Sequence, residues 1–299
     1  MPNESTVEIE GRQLKVSNLD KVLYPEASFT KGQVIDYYAR IAPTLLPHID
    51  GHPLTLHRFP NGVDEPGFYE KNCPKHRPSW VKTVDVPVTT KVLDQCLATE
   101  TATLVWTANL ASLEVHPLLA RHKDLDRPTK ITFDLDPGTP ANIVQCCEVA
   151  LELRDVFEHF DLEMFPKTSG SKGMQIDVPV NTKVDYKQTK AFAHAMARLM
   201  AGRMPKLVVS EMDKSIRKNK VFIDWSQNDR NKTTVAPYSL RARRLPWVST
   251  PVTWEEVENC KSEADLQFES EDTLKRVEEL GDLHAPVIDL KQKLPKYDA

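Results

Sequence analysis

A short apolar run that carries two aspartates constrains this chain more than any other segment. Asp134 and Asp136 are one residue apart in the β-type run 131–136, which ends at Pro137-Gly138. Successive side chains of a strand point to opposite faces, so the two carboxylates would share one face. Two like charges side by side are costly unless one is protonated or a cation lies between them. The run therefore indicates either a divalent-metal site or a pair of solvated aspartates that lead into a turn.

Two further segments could complete a site for chemistry at phosphate. The β-type run 220–225 contains Asp224, and a third carboxylate beside the first pair would give a two-metal site. The loop 168–173 combines glycines, two serine hydroxyls and Lys172, which suits a polyphosphate. Taken alone, each has a simpler interpretation, namely a strand-end aspartate that faces water and a glycine turn. The sequence separates these segments, so only the fold can bring them together.

Periodicity predicts a chain of mixed α and β structure, either α/β or α+β. The predicted strands are 54–59, 131–136, 174–178 and 221–225. The predicted helices are 31–46, ended by Pro47, then 102–115, then 139–160 with Thr139 as N-cap and Pro140 in the first turn, and 185–204. We expect one compact unit over 1–254, an acidic and mostly helical appendage over 255–299, and a loose tail at 291–299.

Charge and cysteine content bear on partners and location. The net charge is −4, but residues 253–282 hold eleven acidic and three basic residues, so the rest of the chain is net positive and could present a basic face to nucleic acid. Five cysteines in no evident framework are typical of a reducing compartment. The chain shows no signal peptide and no membrane-spanning run. We therefore expect a cytoplasmic, nucleoid-associated protein without a membrane partner.

Several motifs, in this order, make the chain resemble a known family. It resembles the polymerase module of bacterial ligase D, within the archaeo-eukaryotic primase-polymerase superfamily, and more specifically the stand-alone relatives of that module. The matching motifs are Asp-Lys-Val-Leu-Tyr-Pro at 20–25, Pro-Asn-Gly-Val-Asp at 60–64, Leu-Glu-Val-His at 113–116, Phe-Asp-Leu-Asp-Pro-Gly at 133–138, Thr-Ser-Gly-Ser-Lys-Gly at 168–173, Phe-Ile-Asp-Trp-Ser-Gln-Asn at 222–228 and Lys-Thr-Thr-Val-Ala-Pro-Tyr-Ser-Leu-Arg at 232–241. The resemblance extends nearly throughout the chain to Trp254.

The resemblance implies an α+β primase-polymerase core with mixed or antiparallel sheets flanked by helices. It also implies templated nucleotidyl transfer, in which a primer 3′-hydroxyl attacks the α-phosphate of an NTP or dNTP with two Mn²⁺ or Mg²⁺ ions. Such enzymes fill short gaps in end joining or excision repair, favour ribonucleotides and recognise a downstream 5′-phosphate. The implied partners are gapped or broken DNA, a separate DNA ligase and an end-binding protein. Residues 1–100 would bind DNA and 101–254 would carry catalysis.

The resemblance also implies roles for individual residues. The catalytic metal ligands would be Asp134, Asp136 and Asp224. The nucleotide-binding residues would be His116, Ser169, Ser171, Lys172, Gln175, Lys232 and Arg241. The DNA-binding residues would be Lys21 and Lys31 at the 5′-phosphate, Arg58, Phe59, Phe68 and Tyr69 at the template, and Arg217 at the template or primer.

One departure from the family pattern leaves alternatives open. The glycine loop of the family usually continues to a histidine at the position that is Gln175 here. Glutamine can donate a hydrogen bond to phosphate but carries no positive charge, so the role of that histidine does not transfer. The chain could instead be a DNA-end-binding or synapsis module with a vestigial catalytic site. A phosphatase of the haloacid dehalogenase type is a further alternative, because the segment 133–139 looks like its nucleophile loop with Pro137 inserted.

Overall fold

The structure is a computed structural model that describes residues 4–295. In chain order its strands are β1 (Glu4–Ile9), β2 (Arg12–Ser17), β3 (Val22–Tyr24), β4 (Phe29–Thr30), β5 (Leu54–Arg58), β6 (Phe68–Glu70), β7 (Lys82–Val88), β8 (Lys91–Leu97), β9 (Ser112–Pro117), β10 (Lys130–Pro137), β11 (Phe165–Thr168), β12 (Met174–Pro179), β13 (Val208–Val209) and β14 (Val221–Asp224). The α-helices are α1 (Lys31–Ile49), α2 (Thr101–Asn109), α3 (Ile143–Glu158), α4 (Tyr186–Arg203), α5 (Trp254–Asn259) and α6 (Ser270–Leu280). Within residues 4–295, no helix is both long and apolar enough to cross a membrane.

The chain forms two compact units. Unit 1 contains the described residues up to Lys123 together with Thr233–Ser249 and Phe268–Gly281. Unit 2 contains Asp124–Lys232, Thr250–Gln267 and the described residues from Asp282 onward. The acidic C-terminal segment is therefore divided between the two units.

Unit 1 is built on a five-stranded sheet with the order β6-β5-β8-β7, in which β9 also pairs with β5. Helix α1 begins at a capping box, where the Thr30 side chain accepts from the Gln33 backbone N–H and the Gln33 side chain accepts from the Thr30 N–H. Its buried stripe includes Tyr38, Leu45 and Ile49 and joins the core of this unit. The sheet and the helix thus bury one shared apolar core.

Unit 2 is built on a mixed five-stranded sheet with the order β11-β12-β10-β14-β13. Strand β13 pairs with β14 in parallel, and the other neighbours in this sheet are antiparallel. The apolar face of β10 packs under the helices, where the Phe133 ring lies 5.5 Å from Phe157 of α3, and Phe157 lies 5.7 Å from Phe192 of α4. The opposite face of β10 carries its polar side chains. Helices with mixed and antiparallel sheets confirm the predicted α+β class.

Buried Asp177 organises the polar side of the unit 2 sheet. Its carboxylate accepts hydrogen bonds from Lys130 Nζ at 2.5 Å, Thr132 Oγ1 at 2.6 Å and His284 Nε2 at 3.0 Å. Burial alone would raise the pKa of Asp177, but the Lys130 charge and the His284 hydrogen bond hold it well below its usual range. The contact with His284 fixes the chain that follows α6 against this sheet.

The predicted strands and the helix at 185–204 are confirmed, but three helix predictions need correction. Helix α1 continues through Pro43 and Pro47 to Ile49, because burial of its apolar stripe outweighs the missing proline N–H groups. The segment 102–115 is a short helix followed by strand β9. Helix α3 begins three residues after Pro140, with Asn142 as the N-cap in place of Thr139.

Two further expectations differ from the structure. Cys73 and Cys96 form a disulfide, whereas Cys146, Cys147 and Cys260 are free and buried. The Cys73 N–H donates to the Asp94 carbonyl at 2.6 Å, which holds Cys73 beside β8, and spacing alone could not reveal this contact. In the expected loose tail, buried Gln292 donates to the Pro179 carbonyl at 2.9 Å, and residues 296–299 lie outside the described part of the chain.

Candidate active site

The register of the unit 2 sheet places four polar residues directly beside one another. Asp134 on β10 is paired with Asp224 on β14 and, on its other side, with Gln175 on β12. Gln175 is in turn paired with Lys167 on β11. Side chains directly opposite each other on adjacent strands share a face of the sheet. We call Lys167, Gln175, Asp134 and Asp224 the polar row, and Asp136 lies two residues further along β10 on the same face.

The charges around Asp134 are poorly compensated. Burial and the nearby Asp136 charge raise the pKa of Asp134, and Asp224 acts in the same direction. A hydrogen bond from Gln175 and the charge of Lys167 oppose this shift without cancelling it. A divalent cation would relieve the repulsion, and three carboxylates supply the oxygen ligands that Mg²⁺ and Mn²⁺ prefer. The residues present therefore fit a divalent-metal site.

The carboxylate of Asp224 is held by the short turn that follows β14. Its Oδ1 accepts from the Ser226 backbone N–H at 3.0 Å and from Ser226 Oγ at 2.6 Å, and its Oδ2 accepts from Gln227 Nε2 at 2.9 Å. Lys232 Nζ donates to Ser226 Oγ, which links this predicted nucleotide-binding lysine to Asp224. The sequence interpretation missed Ser226 and Gln227, although both lie within the motif at 222–228.

The glycine loop lies against the same strand. A Cβ at Gly173 would be 2.0 Å from the carbonyl oxygen of Leu135, so the loop approaches β10 between the two aspartates as only glycine allows. Ser169 Oγ accepts from the backbone N–H groups of Ser171 and Gly173, both at 3.2 Å, and thereby shapes the loop. Lys172 is exposed at its tip. The loop and the three carboxylates therefore belong to one region of unit 2.

Arg217 reaches the end of the same strand. A Cβ at Gly138 would be 2.0 Å from the Arg217 carbonyl oxygen, which shows how closely the loop that carries Arg217 approaches the residue that follows β10. The Arg217 guanidinium lies 3.5 Å from the ring centroid of Phe222, which is paired with Asp136 across the strands. The predicted strand-contacting arginine is thus next to the aspartate-bearing strands.

A second cluster of predicted residues, in unit 1, surrounds Glu114. The buried Glu114 carboxylate accepts from His116 Nε2 at 2.7 Å and His57 Nδ1 at 3.0 Å through Oε2. It accepts from Arg241 Nε at 3.0 Å and the Ala242 backbone N–H at 2.9 Å through Oε1. We call these five residues the Glu114 hub. Burial alone would raise the pKa of Glu114, but the two histidine hydrogen bonds and the Arg241 charge hold it far below its usual range.

The Glu114 hub also contains residues of metal-ligand type. One ligand atom from each of His57, Glu114 and His116 lies within 4.8 Å of the others. Both oxygens of Glu114, however, already accept two hydrogen bonds each, one of them from the Arg241 cation. This carboxylate is therefore compensated within unit 1. Sequence reasoning included His116 and Arg241 and missed His57 and Glu114, although Glu114 lies in the motif at 113–116.

The sequence of this chain matches a described protein family. The family model described as LigD, primase-polymerase domain, matches residues 30–284. The chain belongs to the LigD primase-polymerase domain family. It is 42% identical over 277 residues to the multifunctional non-homologous end joining protein LigD of Mycolicibacterium smegmatis, covering 92% of this chain and 36% of the relative. It is 28% identical over 253 residues to the bifunctional LigD of Bacillus subtilis, covering 84% and 41%.

A solved structure supports the same assignment. The polymerase domain from Mycobacterium tuberculosis ligase D, in complex with DNA, superposes with a TM-score of 0.87 at 38% identity, covering 92% of this chain and 98% of that chain. The LigD primase-polymerase domain is a nucleotidyltransferase, and its relatives here are DNA-repair proteins of non-homologous end joining. This assignment overturns the phosphatase alternative. The chain spans 36% of the length of the M. smegmatis LigD and 39% of that of the M. tuberculosis LigD.

The remaining predicted DNA-binding residues of this LigD-type domain lie in unit 1. Phe68 and Tyr69 on β6 are 45% and 56% exposed, large fractions for aromatic side chains. The Tyr69 ring stacks on His57 of the Glu114 hub at 3.9 Å, and the Arg58 guanidinium lies 5.3 Å from the Phe68 ring. Phe59 differs, because it is buried beneath Gly67, where a Cβ would be 2.4 Å from its ring.

The two predicted phosphate-binding lysines differ in their surroundings. Lys21 is exposed, and its Nζ lies 3.5 Å from Asn61 Oδ1. Lys31 is buried, and its Nζ donates to the Ser17 carbonyl at 2.6 Å. Burial, together with the charges of Lys21 and Arg58, lowers the pKa of Lys31 to about 8. The charges of Lys21 and Arg58 both act on Lys31, so these three cations form a positive region suited to an anion.

Proposed function

We propose that this LigD-type domain is a template-dependent polymerase that fills short gaps during DNA repair by non-homologous end joining or excision repair. The observation that carries the proposal is the cluster of Asp134, Asp136 and Asp224, whose repulsion calls for cations, in a family of nucleotidyltransferases. The proposal extends to a preference for ribonucleotides and to recognition of a downstream 5′-phosphate.

The proposed chemistry is attack of a primer 3′-hydroxyl on the α-phosphate of the incoming nucleotide, with release of pyrophosphate. Two Mn²⁺ or Mg²⁺ ions held by Asp134, Asp136 and Asp224 would lower the pKa of the attacking hydroxyl and neutralise the leaving phosphates. Ser226 and Gln227 orient Asp224 through three hydrogen bonds. Within unit 2, the residues proposed to bind the triphosphate are Ser169, Ser171, Lys172 and Lys232. Nucleotide binding by His116 and Arg241 of unit 1 is a separate proposal that rests on the family resemblance.

The proposed DNA contacts follow from exposure and charge. Tyr69 and Phe68 would stack on template bases whatever their identity, because every base has an aromatic face. Arg58 and Arg217 would contact strand phosphates through their guanidinium groups. Lys21 and Lys31 would bind the 5′-phosphate on the far side of the gap.

The proposed partners are gapped or broken DNA, a DNA ligase on a separate chain and an end-binding protein. The M. tuberculosis polymerase domain described above was solved with DNA, and the relatives are named for non-homologous end joining. We also propose a cytoplasmic, nucleoid-associated location, in keeping with DNA as the partner.

The test is extension of a primer across a short gap that carries a downstream 5′-phosphate. We expect extension in Mn²⁺ to exceed that in Mg²⁺, ribonucleotides to be used before deoxyribonucleotides, and removal of the 5′-phosphate to reduce extension. DNA binding without extension under every condition would instead identify an end-binding module. Equal use of ribonucleotides and deoxyribonucleotides would refute only the proposed ribonucleotide preference. Equal extension on gaps with and without the 5′-phosphate would refute only the proposed recognition of that phosphate.

A further inference from the structure

Gln175 occupies the centre of an uninterrupted chain of polar contacts in unit 2. The Lys167 ammonium, which is fully buried, donates to Gln175 Oε1 at 2.6 Å. On the other side, the Gln175 side chain makes a hydrogen bond to the Asp134 carboxylate, its partner across β10 and β12. The order is therefore ammonium, amide, carboxylate, and all three groups lie on one face of the sheet.

The neighbours of Gln175 determine the orientation of its amide. An ammonium is only a donor and a carboxylate is only an acceptor, so the amide oxygen must face Lys167 and the amide nitrogen must face Asp134. The opposite orientation would put two donors and two acceptors in contact. Gln175 is also only 5% exposed, which leaves little of its surface for a nucleotide. Both ends of the side chain are thus engaged by the sheet.

We propose that Gln175, anchored by Lys167, positions the Asp134 carboxylate for metal binding and does not bind the triphosphate. This inference rests on the proposed two-metal function. Groups that hydrogen-bond to a ligand fix its orientation, and their loss typically weakens metal binding by about 10–100-fold. Gln175 itself is neutral, so the side chain that contacts Asp134 adds no charge of its own, and the Lys167 charge lies beyond it.

The test measures Mn²⁺ binding without nucleotide, from the electron paramagnetic resonance signal of the free ion. Gln175→Met preserves side-chain length and removes both hydrogen bonds, and we expect Mn²⁺ affinity to fall by about 10-fold or more. Gln175→Asn remains polar but is one methylene too short to contact both neighbours. We therefore expect its Mn²⁺ affinity to fall as well. At saturating Mn²⁺, the nucleotide KM of both variants should stay within about twofold of wild type.

Lys172→Met is the matched control, because Lys172 is exposed on the glycine loop of the same unit. We expect it to raise the nucleotide KM and leave Mn²⁺ affinity without nucleotide unchanged. Wild-type Mn²⁺ affinity in folded Gln175→Met, or in Gln175→Asn should the Met variant not fold, would overturn the inference. A raised nucleotide KM with unchanged Mn²⁺ affinity would assign Gln175 to the triphosphate instead.

A third variant separates this inference from the function on which it rests. Asp134→Asn should abolish high-affinity Mn²⁺ binding. If it does so while both Gln175 variants bind normally, the metal site stands and the role of Gln175 is wrong. If Asp134→Asn binds Mn²⁺ as tightly as wild type, the two-metal proposal itself fails.

Discussion

The polar row and the Glu114 hub each place a carboxylate among predicted site residues, but their electrostatics are opposite. Asp134 is surrounded by two further carboxylates, and its pKa is raised by burial and by Asp136. Glu114 is surrounded by two histidines and an arginine, which overcome the effect of burial and lower its pKa. The charge of Lys167 only partly offsets burial and repulsion at Asp134, whereas the histidines and Arg241 outweigh burial at Glu114.

This difference suggests two roles for a buried carboxylate. Asp134 is suited to binding an added cation, whereas Glu114 is suited to holding neighbouring side chains in place. A carboxylate that repels its neighbours in the empty protein gains most from an added metal ion. One that already accepts four hydrogen bonds has little to gain, and its value lies in holding the donors in place. The Glu114 hub thus orients His116, Arg241 and, through His57, the exposed Tyr69 ring. The two regions should respond in opposite ways when their carboxylates are removed.

The largest expected effect is on catalysis by the carboxylate cluster. Asp224→Asn removes a ligand charge, and a loss of several kcal/mol of transition-state stabilisation corresponds to at least about a 1000-fold fall in primer extension. Binding of gapped DNA, measured by fluorescence anisotropy, should be retained. Asp229→Asn is the matched control, since Asp229 is five residues away and pairs with Lys190, and it should extend normally. Equal extension by wild type and Asp224→Asn would refute the polymerase assignment.

The next effect should appear in the stability of unit 1. Glu114→Gln leaves the partly buried Arg241 guanidinium and two imidazoles without their shared anion, and breaking such a buried pair costs about 3 kcal/mol of unfolding free energy. Urea unfolding measures this change. Glu271→Gln serves as the control, because its pair with Arg40 in the same unit is solvent-exposed and should contribute less than about 1 kcal/mol. Equal losses in the two variants would remove the distinction between the hub and an ordinary ion pair.

Asp134→Asn should change the free energy of unfolding in the opposite direction and make the folded protein more stable. The pKa of Asp134 in the folded protein lies above the ordinary aspartate value, so its protonated form favours folding at low pH and this contribution is lost as pH rises through the folded pKa. In metal-free buffer the Asn variant should therefore be more stable than wild type by on the order of 1 kcal/mol at neutral pH, with no gain near pH 3. Urea unfolding at both pH values tests this.

The same comparison can be made with metal present. Mn²⁺ should stabilise wild type, because it binds the folded state, and should leave Asp134→Asn unchanged. A variant less stable than wild type in metal-free buffer at neutral pH would contradict the claim that the carboxylates repel one another.

The contrast between the two regions also shows how far sequence patterns reach. Alternation along β10 was enough to place Asp134 and Asp136 on one face, because that periodicity is local. Strand register is not local, so the pairing of Asp134 with Asp224 and with Gln175 required the fold. The Glu114 hub draws on β5, β9 and a segment more than a hundred residues further along the chain, and no spacing rule connects these.

In helix α1 and in the polar row, buried contacts also outweigh the structure that the local sequence favours. Pro47 is a helix terminator by propensity, yet Ile49 beyond it is completely buried and the helix continues. The sequence alone predicts Gln175 as a nucleotide-binding residue, because its position in the family motif is visible there and its neighbours in the sheet are not. Lys167, which fixes the orientation of Gln175, carries no signal in the sequence, since a lysine in a short strand is usually solvent-exposed.

The smallest expected effect is on the affinity for a 5′-phosphate, and it concerns two lysines of unit 1. Lys21→Ala should weaken binding to gaps with a 5′-phosphate by about a few-fold, and binding to gaps with a 5′-hydroxyl by less, since it would remove the exposed cation that we propose contacts the phosphate. Lys31→Ala should act on both substrates, because the Lys31 ammonium also holds the Ser17 carbonyl. Anisotropy titrations with the two gap substrates at one salt concentration separate these outcomes. Equal losses on both substrates for Lys21→Ala would make it a general backbone contact, and the positive region would then have no specific role at the gap end.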